Sequence, residues 1–269
     1  MDIHATDYFS TSIEPEPQGH FHQVIALHDN PLLDWREATK MSPELTRGWY
    51  ELAQLSTPDR INFIHEFWEK TLPYHPNIDD FLNNFFASID DLGVFLTQQS
   101  YEDPFVPHMV YSLLNNGGFF HGERGATEAE IIRLQKDFAR DILPPDYLAF
   151  LQIHNGFAKL TDTGVISSTR MKENYLAFQA LLKEGEGPIT THSGTNINPS
   201  SLIPFYESFG MPFYQCFWKD WYPDQEMGNV YYSALTRSIT TSDKEEDSAE
   251  NMAFQNFTDW LMFYLEKIE

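Results

Sequence analysis

The chain has a single cysteine, Cys216, in 269 residues. It therefore lacks the pair that an intrachain disulfide needs, and it has no Cys-x-x-Cys element for a structural zinc. A reducing compartment fits this composition, and the cytoplasm is the expected location. Basic residues are also scarce: 17 Lys and Arg stand against 40 Asp and Glu, a formal net charge of −23. A field of that sign repels nucleic-acid phosphates and anionic lipid, so neither is an expected partner. Long apolar runs are missing too. No stretch approaches the ~20 residues of a membrane helix. The start, Met1-Asp2-Ile3-His4, lacks the basic and apolar segments of a secretory signal.

What is abundant is bulk: 42% hydrophobic residues and 15% aromatic ones suit a packed core, not a disordered chain. Residues 1–34 read as a flexible or draped arm, punctuated by Pro15, Pro17, Gly19 and Pro31. Residues 35–120 read as a helical extension. Ser42-Pro43 is an expected helix start, with the stripe Leu45, Trp49 and Leu52 behind it. Ser56-Thr57-Pro58-Asp59 opens the next helix, carrying Ile61, Ile64, Phe67 and Trp68. Pro104 to Leu114 is expected to be helical as well.

From residue 121 to 269 the signals change. Thr127 and Glu130 form a capping box before Ile131 and Leu134. Leu143-Pro144-Pro145-Asp146 opens a second helix, which Asn155-Gly156 ends. A further helix is expected around 172–182. Strands are expected at Val165-Ile166, 202–206, 214–218 and 229–232, and a final amphipathic helix carries Phe257, Leu261 and Leu265. The acidic run at 243–250 reads as an exposed loop.

The run Gly125-Ala126-Thr127-Glu128, then Leu143-Pro144-Pro145-Asp146-Tyr147 through Phe150-Leu151, then His154-Asn155-Gly156, resembles the SUKH superfamily, which includes the Smi/Knr cell-wall assembly regulators and bacterial immunity proteins. Gly228-Asn229-Val230-Tyr231-Tyr232 and Phe257-Thr258-Asp259-Trp260-Leu261 fall where such domains have them. The resemblance implies an α+β fold, with N-terminal helices packed on a mostly antiparallel sheet. It also implies a non-catalytic binding role. One form is immunity-like neutralisation of a basic toxin, possibly a nuclease, and the other a Smi/Knr-type regulatory scaffold. In this frame Tyr147, Phe150 and Trp260 are core, and His154 and Asn155 cap a helix end.

Catalytic and metal motifs are incomplete. His65-Glu66-Phe67-Trp68-Glu69 has Glu where a zincin has its second His, and Phe67 and Trp68 suit a core helix. His121-Gly122-Glu123 has no downstream Cys pair to complete a deaminase site. His20, His22 and His28 are the best metal candidates, though loop pairs of this kind are more often incidental. Cys216 in a strand reads as a buried small hydrophobe. Neither a cofactor, a metal nor a catalytic residue is assigned, and a carboxylate-dependent hydrolase is the remaining enzyme reading.

Two segments stand out as candidate partner sites. Thr71 to Glu123 holds no Lys or Arg, while it carries Asp79, Asp80, Asp90, Asp91, Glu102 and Asp103 between aromatic residues. The second candidate is Trp218 to Glu226, with Trp221, Tyr222, Asp224 and Glu226 as the binding residues. Each has a plainer reading. The acids are then the solvated side of a helical layer, and Trp218 and Trp221 complete the core.

Overall fold

A computed structural model of the chain describes residues 1–11, 20–139, 141–223, 225–240 and 252–266. They form two units: Met1–Gly125 with Gln152–Thr161, and Ala126–Leu151 with Asp162–Glu266. The acidic run at 243–250 and Asp224 lie outside the described residues.

The first unit begins with helix α1 (Ile3–Tyr8) and strand β1 (Gln23–Ala26). Then come α2 (Trp35–Met41), α3 (Arg47–Ala53), α4 (Thr57–Thr71) and α5 (Ile78–Ala87). Three strands follow, β2 (Ile89–Gln98), β3 (Val106–Leu113) and β4 (Phe119–Glu123), and β5 (Phe157–Lys159) returns from later in the chain. The sheet order is β1-β2-β3-β4-β5, antiparallel throughout.

The expected helical extension is thus only half helical, and Pro104 to Leu114 contributes a strand. The reason is burial on both faces. Val110 packs with Ala5, Phe9, Phe95 and Phe119, whereas its neighbour Tyr111 meets Trp68. A strand covered on both sides loses the polar alternation that reveals a half-buried one. The Ser42-Pro43 start also moves. Ser42 ends α2, and the next helix begins at Arg47 behind Thr46, whose hydroxyl accepts from Trp49 N. Ser56 does cap α4, with Pro58 in its first turn.

The second unit starts with α6 (Glu128–Asp137), where the Thr127–Glu130 capping box is present in both directions. Next come α7 (Pro145–Ile153), β6 (Gly164–Val165), α8 (Met171–Glu184), β7 (Ile189–Thr191) and β8 (Asn196–Ile197). Strands β9 (Leu202–Glu207), β10 (Phe213–Trp218), β11 (Asn229–Ser233), β12 (Ser238–Ile239) and β13 (Ala253–Phe254) precede α9 (Phe257–Leu265). The order is β6-β9-β10-β11-β12-β7-β8, with β13 also on β11. Only the β12–β7 pair is parallel among the pairs described here. The fold is α+β, as the resemblance implies.

Aromatic stacking supplies much of this unit's core. Phe205 and Phe217 stack at 4.3 Å, and Trp260 meets Phe205 edge-on at 4.8 Å. Asp146 ties two helices together from inside. Its Oδ1 accepts from Tyr147 N at 2.8 Å, while Oδ2 accepts from Thr258 N at 2.8 Å and from Thr258 Oγ1 at 3.0 Å. One carboxylate thereby serves the first turns of α7 and α9, where backbone N–H groups lack helical partners.

Candidate partner-binding sites

In the first unit, the acids of the base-free window take different positions. Asp79 and Asp80 are exposed in the first turn of α5, Asp90 is exposed at the start of β2, and Glu102 is exposed in the β2–β3 turn. Asp103 is exposed too, but its Oδ2 accepts from Ser100 N and Oγ and thereby shapes that turn. Asp91 is structural. It accepts from Arg60 Nη2 at 3.0 Å, and Arg60 is itself buried, donating also to the Leu55 and Leu92 carbonyls and to Thr57 Oγ1. Asp91 is therefore the counter-charge of a buried guanidinium and is withdrawn from the candidate surface. Asp80 lies on α5 and Asp91 on β2.

Most aromatic residues of the same window turn inward as expected, but Tyr74 and Tyr101 do not. Phe85, Phe86, Phe95, Phe105 and Tyr111 are buried, whereas Tyr101 is 81% exposed. On α4, Trp68 is fully buried but Phe67 is exposed, contrary to its expected core place. Phe67 shares its helix face with exposed Phe63, four residues earlier.

The histidines serve the packing of the first unit. Trp68 Nε1 donates to Tyr111 Oη at 3.1 Å, the Tyr111 hydroxyl donates to His154 Nε2 at 2.6 Å, and His154 Nδ1 donates to the Glu123 carbonyl at 2.8 Å. This chain fixes a neutral His154 with its proton on Nδ1. His154 thus joins an interior relay; the expected cap on a helix end is not what it makes. Burial lowers its pKa to about 4. Burial likewise holds His108 at about 3 and His121 at about 4. The expected metal candidates diverge: His20 packs on Tyr8, His22 on Tyr101, and His28 on Phe95. Among the described residues no group of three or more His, Cys, Asp or Glu is placed to hold a metal. No helix among them is long and apolar enough to cross a membrane.

In the second unit, the loop after β10 folds back on its own hairpin. Trp221 N donates to Trp218 O, and Gly228 N donates to Trp221 O, each at 3.0 Å. The Trp221 ring covers Gly228 so closely that a Cβ there would lie 2.4 Å from it. Trp218 and Trp221 are half-buried against the core cluster of Phe178, Leu202, Cys216 and Val230. Their exposed parts, with Asp220, line one side of a cavity of about 410 Å³. The β7–β8 hairpin provides the other side through Thr191, Ser193 and Asn196. Each ring thus packs on the core and also walls the cavity. Tyr222 is half exposed and Glu226 half-buried, and neither lines the cavity; Asp224 lies outside the described residues. Asp220 lies within the expected Trp218 to Glu226 segment, whereas the only trace of the β7–β8 wall is a polar run, Thr190 to Asn196, without a recognisable motif. Cys216 is buried beneath, its thiol pushed well up by burial, which suits a core residue.

Residues 125–262, half of the chain, match the model of the SMI1 / KNR4 family (SUKH-1). The chain belongs to this family. No curated protein matches it. The SUKH-1 match spans the capping box of α6, the Asp146 clasp and the tryptophan-walled cavity. The α1 to β4 segment precedes the match.

Proposed function

We propose that this SUKH-1 protein is a non-catalytic binding module that engages a basic protein in the cytoplasm and neutralises it, in the manner of an immunity protein. The observation that carries the reading is the run of 53 residues from Thr71 to Glu123 without a Lys or Arg, within a chain of net charge −23. Asp79, Asp80, Asp90 and Glu102 are exposed along that run. Exposed Phe63, Phe67 and Tyr74 add apolar anchors in the same unit. Surface acids of this kind accelerate encounter with a basic partner, and the effect weakens with salt.

Affinity capture from the native cytosol, eluted along a salt gradient, tests this. A basic protein released by rising salt is expected, with retention reduced by the pair Asp79→Lys and Asp80→Lys. Capture that is insensitive to both salt and charge reversal refutes it. The second reading, a regulatory scaffold, draws on the sheet-bearing unit that largely precedes the SUKH-1 match. An adjacent toxin gene favours neutralisation, and an isolated gene favours the scaffold.

A further inference from the structure

We infer that helix α1 and Phe9 form an acid-released strap over one face of the first unit's sheet, held down while His108 and His121 beneath it carry no charge. The inference is independent of the basic-partner reading.

The strap covers a row of side chains contributed by three strands. His108 pairs with Phe95 across β2–β3, and His121 pairs with Val110 across β3–β4, so these four side chains share one face. Ala5 and Phe9 pack there with Phe95, Val110 and Phe119 as one apolar cluster. The Phe9 ring centroid lies 5.7 Å from that of His108 and 5.6 Å from that of His121. The Tyr8 ring lies 5.3 Å from His121, and Phe21 flanks His108 at 6.4 Å. The two imidazoles are themselves 6.0 Å apart.

This setting suits two neutral rings and not two cations. His108 Nδ1 is buried and has no hydrogen-bond partner among the described residues, while His121 Nε2 donates to the Leu160 carbonyl at 3.1 Å. Charging both would place like charges side by side under the strap, and contact with Phe9 and Tyr8 returns only part of the hydration each cation loses. The other ionisable groups lie around this row. Glu123 is the cross-strand neighbour of His108, and its carbonyl accepts from His154. His4, Asp7 and His20 are exposed near Tyr8, and His28 packs on Phe95 beside Asp29. Lys159 faces the Phe120 ring, and the Met1 ammonium approaches Asp90 and Asp91. Burial outweighs them all and holds His108 at about 3 and His121 at about 4.

The strap is also easily lifted. Helix α1 has six residues, too few to persist undocked. Its tie to the sheet is Asp2, whose Oδ2 accepts from Gly118 N at 3.1 Å and whose N donates to Ser112 Oγ. Once it lifts, water reaches both imidazoles and each titrates near its ordinary value of ~6.5. The closed form is therefore fully favoured above that pH and loses ground as pH falls below it. Release uncovers Phe95, Val110 and Phe119.

Hydrogen–deuterium exchange of the full chain between pH 7 and pH 5, corrected for the intrinsic effect of pH, tests this. The reporters are Thr6 N, Phe9 N and Gly118 N, bonded to Asp2 O, Ala5 O and the Asp2 carboxylate, with α4 of the same unit as reference. Two histidines freed to titrate near 6.5 should raise the open-to-closed ratio about 600-fold over this range, and one alone about 25-fold. His108→Phe keeps a ring against Phe9 and removes one titrating group, so it should show the smaller rise. Unchanged α4 protection at pH 7 verifies its fold, and wild-type exchange decides alone if that variant misfolds. Strap protection that ignores pH, strap protection equal to that of α4 at every pH, or a folded His108→Phe with the wild-type slope would each overturn the inference.

Discussion

Removing the Asp146 carboxylate is expected to destabilise the chain by about 3 kcal/mol. The side chain is 4% exposed and accepts from Tyr147 N, Thr258 N and Thr258 Oγ1. Asp146→Ala leaves these three donors buried without their acceptor, each at ~1–3 kcal/mol. The lost charge at two helix N-termini adds ~0.3–1 kcal/mol each. Desolvation of the carboxylate works the other way and is large enough here to raise its pKa, ahead of the hydrogen bonds from Thr258, Tyr147 and Phe257 that lower it. The net is smaller than the gross loss, hence ~3 kcal/mol, or a fall of roughly 6–12 °C in Tm for a unit of this size. Asp146→Asn keeps one carbonyl but turns an NH2 toward a donor, and should cost about 2 kcal/mol. Differential scanning calorimetry with urea unfolding reads both variants. The raised pKa also fixes a pH trend. The folded form holds its proton to higher pH than the unfolded one, so the aspartate's advantage over Asp146→Asn shrinks as pH rises from the ordinary carboxylate range through the folded value. An alanine variant within ~1 kcal/mol of wild type would refute the reading of Asp146 as a clasp between helices.

The buried neutral histidines His108, His121 and His154 have pKa values lowered to about 3, 4 and 4 by burial. Unfolding frees them to take up protons below ~6.5, so stability should be complete above that pH and fall steeply toward pH 4. A Tm that stays level between pH 7 and pH 5 would contradict this. Asp91→Ala should cost ~3 kcal/mol or more in urea unfolding, because Arg60 is left as a buried unpaired charge, while Asp79→Ala should stay within ~0.5 kcal/mol. Equal effects would return Asp91 to the surface set. Gly125→Ala should lower soluble yield and Tm sharply, since the added Cβ would meet the Gln152 carbonyl, and backbone cannot rotate aside. A crystal structure with that loop unmoved would show the clash to be absent.

Local rules made the second unit legible. The Thr127–Glu130 box and the Leu143-Pro144-Pro145 start act within a few residues of chain, and α7 ends at Ile153, just before Asn155-Gly156. The strands β9 to β11 each border a polar turn, and they fall within a residue or two of their expected bounds. The first unit was harder because β2 and β3 are covered on both faces, and their apolar runs suit a helix equally well.

The sequence by itself determined the net charge of −23, the absence of a disulfide and the SUKH-1 motif with its α+β expectation. Only the tertiary structure decided which acids are free. Asp90 and Asp91 both approach the Met1 ammonium, at 3.7 and 3.8 Å, yet only Asp91 also meets the buried Arg60 guanidinium, at 3.0 Å, while Asp90 stays exposed. Tertiary folding also brought Thr191, Ser193 and Asn196 to the tryptophan loop from more than twenty residues away. No local pattern encodes that meeting, because it follows from β7 and β8 joining the sheet beyond β12.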